Sequence, residues 1–517
     1  MPRHAAVDIG SNSTRMLAAE SADPDGYRIL AADREVTRLG ESVFRTGRIS
    51  PEAMDSVLRV LARMAETYRK LGVSTVRAVA TSAVRDAANQ AEFIARASAT
   101  LGVPVEIITG REEARLIHQG VICRWPHPGK RILIVDIGGG SAEIISSEDG
   151  RLLDAVSKPL GAVRLQENFL TQDPPTPRAL HQLAEFVDEK VDETVQSMGT
   201  KWDRVIATSS TAAAVVCAVL EVPRAKREDA DRLRVSTVQV RQLYRKLSAL
   251  NLDARRKVPG FGPRRAEIIV AGTGALLRIL ERFDASAVYY SSAGVRDGIL
   301  ADLATGQAGQ DVSRMTADQL REVERVAARF GVSLPDAGTV AGFALELFHA
   351  LLTLHQLPLW AGRLLQAASY FCDTGHYIND AAHHKHAYYL VSNADFSGFT
   401  DRERRLIAAL CRYHRKALPQ ESHAEFAALS LEDKRILMWL VPLLRLADNL
   451  DPTRSQHVQW VCCDVDESRV NVTLRSPREL ELTEWAAARI SELFRQVYGR
   501  SIAVTRVAVA LPQEESA

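Results

Sequence analysis

Cysteine is scarce in this sequence. The six that occur (Cys123, Cys217, Cys372, Cys411, Cys462 and Cys463) are scattered and form no CxxC pair. That excludes a disulfide-stapled scaffold and a zinc ribbon, and it predicts a reducing compartment. Long apolar runs are missing too. No stretch of about 18 apolar residues occurs, and the nearest, Val205 to Leu220, is studded with Ser and Thr and stops at Glu221. Met1-Pro2-Arg3-His4 runs straight into a strand-like stretch, without a charged and then apolar leader. A soluble, cytoplasmic protein with no membrane partner is expected. Net charge is lacking as well: 65 Lys and Arg stand against 64 Asp and Glu, for +1. That is not the footprint of a general nucleic-acid binder. A polyanionic partner has to be met by a local gathering of basic residues.

What is present is ordinary globular material, with 46% hydrophobic and 25% charged residues in 517. At roughly 100–200 residues per domain, about three or four domains are expected. The first 300 or so residues alternate β-rich and helical runs. Ala5 to Ile9, Arg15 to Ala19 and Arg28 to Asp33 read as strands, followed by a helix over Pro51 to Leu71 with Ser50 as N-cap. Val76 to Ala80 and Val105 to Ile108 read as strands around a helix over Ala87 to Thr100. The pattern then restarts with strands at Ile132 to Val135, Glu143 to Ser146 and Leu152 to Val156. A mixed α/β fold is expected. From about Arg314 the chain turns helical and rich in His, with helices over Glu322 to Phe330, Ala341 to Leu357, Gly362 to Phe371, Asp401 to Tyr413 and Leu431 to Ala447. After about Val458 alternation returns, in Val470 to Leu474 and Ile502 to Val504, as a small α/β end domain.

The restart contains an internal repeat. Asp8-Ile9-Gly10-Ser11-Asn12-Ser13 and Asp136-Ile137-Gly138-Gly139-Gly140-Ser141 each follow an apolar strand and precede another. Two copies imply two related lobes facing a common cleft. Glycine lets backbone amides approach a phosphate, and Ser and Asn add donors. The Asp cannot bind phosphate directly but can hold a cation that bridges to it. A single Asp-Gly loop would be ordinary turn punctuation; two in matching contexts, one with three consecutive glycines, are not. On the strand after the second loop, alternation puts Glu143 on the face of Ser141, toward the cleft, where a solvent-facing Glu is the plainer alternative.

Two strand-to-helix junctions add candidates. Thr109 and Glu112 have capping-box spacing, which gives Glu112 a structural task. Glu113 has none. It suits a general base on water, or equally a compensator of the helix dipole. At Thr81-Ser82-Ala83-Val84-Arg85-Asp86, hydroxyls and an Arg at a helix start suit an anion. An ordinary N-cap with a surface Arg is the alternative.

Taken together, these motifs resemble the exopolyphosphatase/guanosine pentaphosphate phosphatase family, within the superfamily of sugar kinases, heat-shock chaperone ATPases and actin. The resemblance rests on Ala6 to Ser13, Ala80 to Arg85, Gly110 to Ile117, Val135 to Glu143 and Ser292 to Gly298, and continues through Asn379 to Tyr389 and Arg412 to Lys416. It implies two actin-like, ribonuclease H-like lobes (1–125 and 126–305), an α-helical HD-like domain (314–455) and a small α/β C-terminal domain (456–517). It implies Glu113 as base, with Asp136 and Glu143 as catalytic or metal carboxylates, and Asp8 joining them at a Mg2+ site, Mn2+ being an alternative ion. Gly10, Ser11, Asn12, Ser13, Thr81, Ser82, Arg85, Gly138, Gly139, Gly140 and Ser141 would hold the terminal phosphates. His384, Lys385, Arg412, His414, Arg415 and Lys416 could line a channel for a long chain, a solvated helix face being the alternative. A homodimer is also implied.

The sequence departs from the family in two places. Thr208-Ser209-Ser210-Thr211 stands where many members have a Gly-rich loop, which narrows the room for a base and argues against ATP. Cys372-Asp373 stands where an HD domain has His-Asp, which argues against an independent metal-dependent phosphohydrolase there, although His384, His414 and Asp448 remain nearby. The expected activity is removal of the terminal phosphate of inorganic polyphosphate. Guanosine pentaphosphate is the nearest rival substrate, and a non-catalytic polyphosphate or alarmone sensor is a rival of another class.

Overall fold

A computed structural model describes residues 1–22, 26–305, 311–458, 460–466, 468–478 and 481–508. Its first sheet grows around an apolar centre. In β1 (Arg3–Ile9) the run His4 to Val7 is buried on both faces, as a central strand requires. β2 (Thr14–Ala22) and β3 (Gly26–Glu35) extend it as an antiparallel meander, and β4 (Thr75–Ala80) and β5 (Val105–Ile107) add in parallel on the other side. The order is β3-β2-β1-β4-β5. The helix Pro51–Lys70 begins as expected, with Ser50 Oγ accepting from the amide of Ala53.

The second sheet repeats this design. β6 (Arg131–Ile137), β7 (Ala142–Glu148) and β8 (Arg151–Lys158) form the meander, and β9 (Arg204–Thr208) lies parallel to β6. β10 (Arg234–Ser236) and β11 (Ala287–Tyr290) follow, β11 pairing parallel to β9. The order β10-β11-β9-β6-β7-β8 is that of the first sheet with one edge strand added. Each Asp-Ile-Gly loop leaves the C-terminal end of the equivalent strand, where α/β folds place their ligands.

Two helices tie the lobes together. The helix Gly110–Arg124 follows β5 of the first sheet but packs on β7 and β8 of the second, through Ala114, Ile117 and Val121. The helix Val295–Thr305 follows β11 but packs on β1 and β2, through Ile299 and Leu300. The two helices also pack on each other. Both lobes belong to one compact unit, 1–309.

The second unit, 310–517, holds the helices Ala317–Arg329, Leu334–Ala350, Ala361–Phe371, His383–Asn393, Asp401–Tyr413 and Leu431–Asn449. The helix expected over Ala341 to Leu357 starts earlier, with Pro335 in its first turn, and breaks after Ala350. β12 (Trp460–Val465), β13 (Arg469–Ser476) and β14 (Ser501–Ala508) form a three-stranded sheet. Val470, Val472 and Phe494 share one apolar core with Leu347 and Leu440 of the helices, so the end of the chain packs with the helical part. Residues 509–517 of the expected end domain lie outside the described residues. All six cysteines are free thiols. No helix among the described residues is long and apolar enough to cross a membrane.

Candidate functional site

The two Asp-Ile-Gly loops close in the same way. The amide of Gly10 donates to Ser13 O (3.2 Å) and that of Gly138 to Ser141 O (3.0 Å). The loops also meet. A Cβ on Gly139 would stand 2.9 Å from the Asn12 nitrogen, and one on Gly140 would stand 2.5 Å from Ser82 Oγ and 2.7 Å from Ser11 Oγ. The glycine run is therefore required by close packing of one lobe's loop on the other's. On the outer side, the carbonyls of Gly138, Gly139 and Gly140 accept from the amides of Ala162 and Val163 and from Arg164 Nε. The amides of Ser11, Asn12, Gly139 and Gly140 donate to no partner among the described residues.

The remaining expected phosphate donors gather here with tasks of their own. Ser11 Oγ accepts from the amide of Ala83 (3.1 Å), which docks the Thr81-Ser82 junction on the first loop. Ser82 Oγ accepts from Arg164 Nη2 (3.2 Å). Ser13 Oγ accepts from Arg15 Nε (3.0 Å). Arg85 donates to Ile108 O (2.6 Å) and its Nη1 lies 3.9 Å from Glu113 Oε2.

Four carboxylates converge beside the loops: Asp8, Glu113, Asp136 and Glu143. Asp136 and Glu143 face each other in the β6–β7 register, so they share a face of the sheet. Ser157 Oγ donates to Glu143 Oε1 (2.8 Å), while Glu143 Oε2 and Glu113 Oε2 are buried without a hydrogen-bond partner. Burial raises the Glu113 carboxyl well above its ordinary range; Glu143, Asp8 and Asp136 push the same way and Arg85 opposes. Burial and Glu143 push Asp136 up to about 8, and burial pushes Glu143 up to about 7 against hydrogen bonds from Ser157 and Ser141. Burial raises Asp8 too, opposed by Arg15 and Arg296. Buried carboxylate oxygens with no donor fit a hard divalent cation. Glu112, by contrast, is taken up by Arg77 (3.2 Å) and Arg115 (2.9 Å), while Thr109 caps the helix by accepting from the Glu112 amide (3.2 Å).

Arg15 escaped the sequence reading. It stands opposite Asp8 in the β1–β2 register, the place that Glu143 holds opposite Asp136. Its Nη2 reaches Ser210 Oγ of the second lobe (2.5 Å). Aligning the two repeats seven residues past each Asp would have exposed the pair. Beyond it opens a cavity of about 500 Å³ lined by Asn12, Ser210, Phe261 and five arginines (Arg34, Arg224, Arg227, Arg264, Arg265), with Glu35 the lone acid. Arg264 pairs with Glu35 (3.1 Å), whereas Arg34, Arg224 and Arg227 have no ion-pair partner among the described residues. Burial and the charges of Arg15 and Arg227 pull Arg265 down to about 9. In the Thr208 to Thr211 loop, Ser209 has φ +81°, a conformation glycine prefers. Ser209 and Thr211 turn their hydroxyls to Ile137 O (2.9 Å each), which leaves Ser210 facing the cavity.

The sequence model of the Ppx/GppA phosphatase family matches residues 5–306, and that of Ppx/GppA phosphatase domain III matches 319–489. The chain belongs to the Ppx/GppA phosphatase family. Its first unit has the actin-like fold of that family. A crystal structure of the Aquifex aeolicus Ppx/GppA family member is 27% identical with TM-score 0.53, over 60% of this chain and 99% of that one. A structure of an exopolyphosphatase from Cytophaga hutchinsonii is 25% identical with TM-score 0.55, over 59% and 98%. A third, of an exopolyphosphatase-like protein, is 28% identical with TM-score 0.56, over 58% and 97%.

The expected channel residues lie in the second unit and differ among themselves. Lys385, Arg415 and Lys416 are exposed. His384 and His414 are buried, and burial holds both imidazoles below their ordinary range, His384 at about 4. Arg412 is paired with Glu425 (2.9 Å).

Proposed function

We propose that the protein is an exopolyphosphatase, releasing orthophosphate from the end of inorganic polyphosphate. The observation that carries this is Glu113: a buried carboxylate with an unpartnered oxygen, set among Asp8, Asp136 and Glu143 beside two loops with free amides. The cavity with unpaired arginines next to it suits the following phosphates of a polyanion.

In this reading the loop amides and Arg85 orient the terminal phosphate, and Glu113 takes a proton from water. The water oxygen attacks the terminal phosphorus in line, the bridging P–O bond breaks, and the shortened chain leaves with the bonding electrons. Positioning and charge stabilisation carry such a transfer. Asp8, Asp136 and Glu143 would hold Mg2+, or Mn2+, which when bound neutralises phosphate charge. The helices of 314–455 are read as an HD-like domain and 456–517 as a small α/β domain.

A second reading is favoured by one observation. Val36, Ala214, Phe261 and Pro263 give the arginine cavity an apolar wall, against which a nucleoside could lie. Guanosine pentaphosphate would then lose its terminal phosphate to the same base. The test is phosphate release with Mg2+ from long-chain polyphosphate, guanosine pentaphosphate and ATP in parallel, for wild type and Glu113→Gln. Faster release from the polymer is expected, and loss of release with binding retained in the variant. Preference for guanosine pentaphosphate selects the second reading; unchanged turnover in Glu113→Gln removes both.

A further inference from the structure

In the second unit, ligand atoms of Asp373, His376 and His383 all lie within 4.8 Å of one another. Packing forces this meeting. A Cβ on Gly375 would stand 1.9 Å from His383 O, so the turn Cys372–Tyr377 lies directly against the start of the helix His383–Asn393. His414 joins from the end of the helix Asp401–Tyr413, with its Nε2 3.2 Å from His383 Nε2.

The outer nitrogens of these rings are already engaged. His376 Nδ1 is 2.6 Å from Asp380 Oδ1, His414 Nδ1 is 2.7 Å from Cys411 O, and His383 Nδ1 is 3.4 Å from Asp380 O. Acceptors at the Nδ1 atoms of His376 and His414 favour the proton there and leave each Nε2 with its lone pair, whereas His383 Nδ1 has Asp380 O on one side and the Arg415 guanidinium on the other. Metal-ligating histidines are held in this way, by a carboxylate or carbonyl on the far nitrogen. Asp373 is oriented likewise: Arg454 holds its Oδ2 at 3.1 Å, while Oδ1 looks toward His376 Nε2 at 3.9 Å. His383 Nε2 and His414 Nε2 face each other at 3.2 Å with a carboxylate beside them, a pair that either one shared ring proton or a bound cation can join. The protein's own cation here is Arg415, whose Nη1 lies 3.1 and 3.3 Å from the His383 nitrogens on an exposed side chain.

We propose that Asp373, His376 and His383, with His414 as a further donor, bind a divalent transition metal of the zinc class in the second unit. Imidazole nitrogens with one carboxylate select such an ion over Mg2+, which takes oxygen ligands. Cys372 is no ligand in this set: it is buried and hydrogen-bonded with Cys411. The site is thus a binding site without the His-Asp pair of a phosphohydrolase.

The test is Co2+ titration of the chelator-stripped full chain, followed by visible absorption, with Zn2+ as competitor. One Co2+ per chain with nitrogen-ligated d–d bands is expected, displaced by Zn2+. His376→Ala, at a half-exposed ring, is expected to weaken binding at least tenfold, and His376→Ala/His383→Gln to abolish the bands. Glu113→Gln/Asp136→Asn, in the first unit, is expected to keep them. Melting of the stripped variants beside stripped wild type separates lost ligands from lost fold, and if the double variant unfolds, His376→Ala alone decides. Bands that persist with unchanged affinity in His376→Ala, or that vanish in Glu113→Gln/Asp136→Asn, would overturn the proposal.

Discussion

At the scale of single residues, the cleft acids make the protein sensitive to pH in an unusual direction. A carboxylate in the unfolded chain loses its proton near about pH 4, whereas folded Glu143 and Asp136 hold theirs up to about 7 and 8. Between those limits the folded state binds more protons than the unfolded state, so stability falls as pH rises. Metal-stripped protein is therefore expected to melt several degrees lower near pH 8 than near pH 5. Added Mg2+ should restore most of the loss at the higher pH and little at the lower. Asp136→Asn/Glu143→Gln removes two of the four raised carboxyls, and with them the repulsion they exert on Glu113, and should weaken the pH dependence and the Mg2+ effect together. A melting point that rises with pH in the stripped protein would contradict the burial of these acids. The residues themselves were visible in the sequence, because Asp136 and Glu143 flank a glycine run and Glu113 starts a helix without a capping task. Arg15 was not, since its importance comes from the strand register that sets it opposite Asp8.

At the scale of elements, the internal repeat announced two lobes, and both sheets follow it strand for strand. Alternation within a strand is local, and so the five strands of the first sheet and the first three of the second were legible, whereas β9, β10 and β11, short and separated by long helical stretches, were not. The exchange of helices was not. Nothing in the periodicity of 110–124 says that it packs on the sheet still to be synthesised. The two helices approach closely at two glycines: a Cβ on Gly298 would stand 1.9 Å from Leu116 O, and one on Gly120 would stand 2.4 Å from Gly294 O. Backbone cannot yield as a side-chain tip can. Gly298→Ala is expected to destabilise the first unit by about 1–3 kcal/mol or more. Because Leu116 lies one turn from Glu113, turnover should fall by more than the folded fraction does. Thermal melts and activity per folded molecule check this; a variant with wild-type melting and wild-type turnover would show that the two helices are not locked at this point.

At the scale of the molecule, charge is legible only after folding. A net charge of +1 hides the arginine cavity, whose members stand at 34, 224, 227, 264 and 265, with only Arg264 and Arg265 adjacent in the sequence. The conspicuous run His383-His384-Lys385-His386 is the converse case, since His383 and His384 turn inward. A substrate polyanion is thus expected to feel the first unit's scattered arginines. Arg227 has no hydrogen-bond or ion-pair partner among the described residues, so its removal leaves no acid stranded. Arg227→Ala should raise KM for long-chain polyphosphate roughly tenfold, the worth of a charged contact, with kcat nearly unchanged because the arginine lines the cavity and is not among the groups around Glu113. Salt screens such attraction, so KM of the wild type should climb with ionic strength and that of the variant less steeply. Kinetics on polyphosphates of graded length complete the test: the penalty should vanish for chains too short to reach the cavity. A loss of kcat at every length would instead place Arg227 among the groups that act on the terminal phosphate.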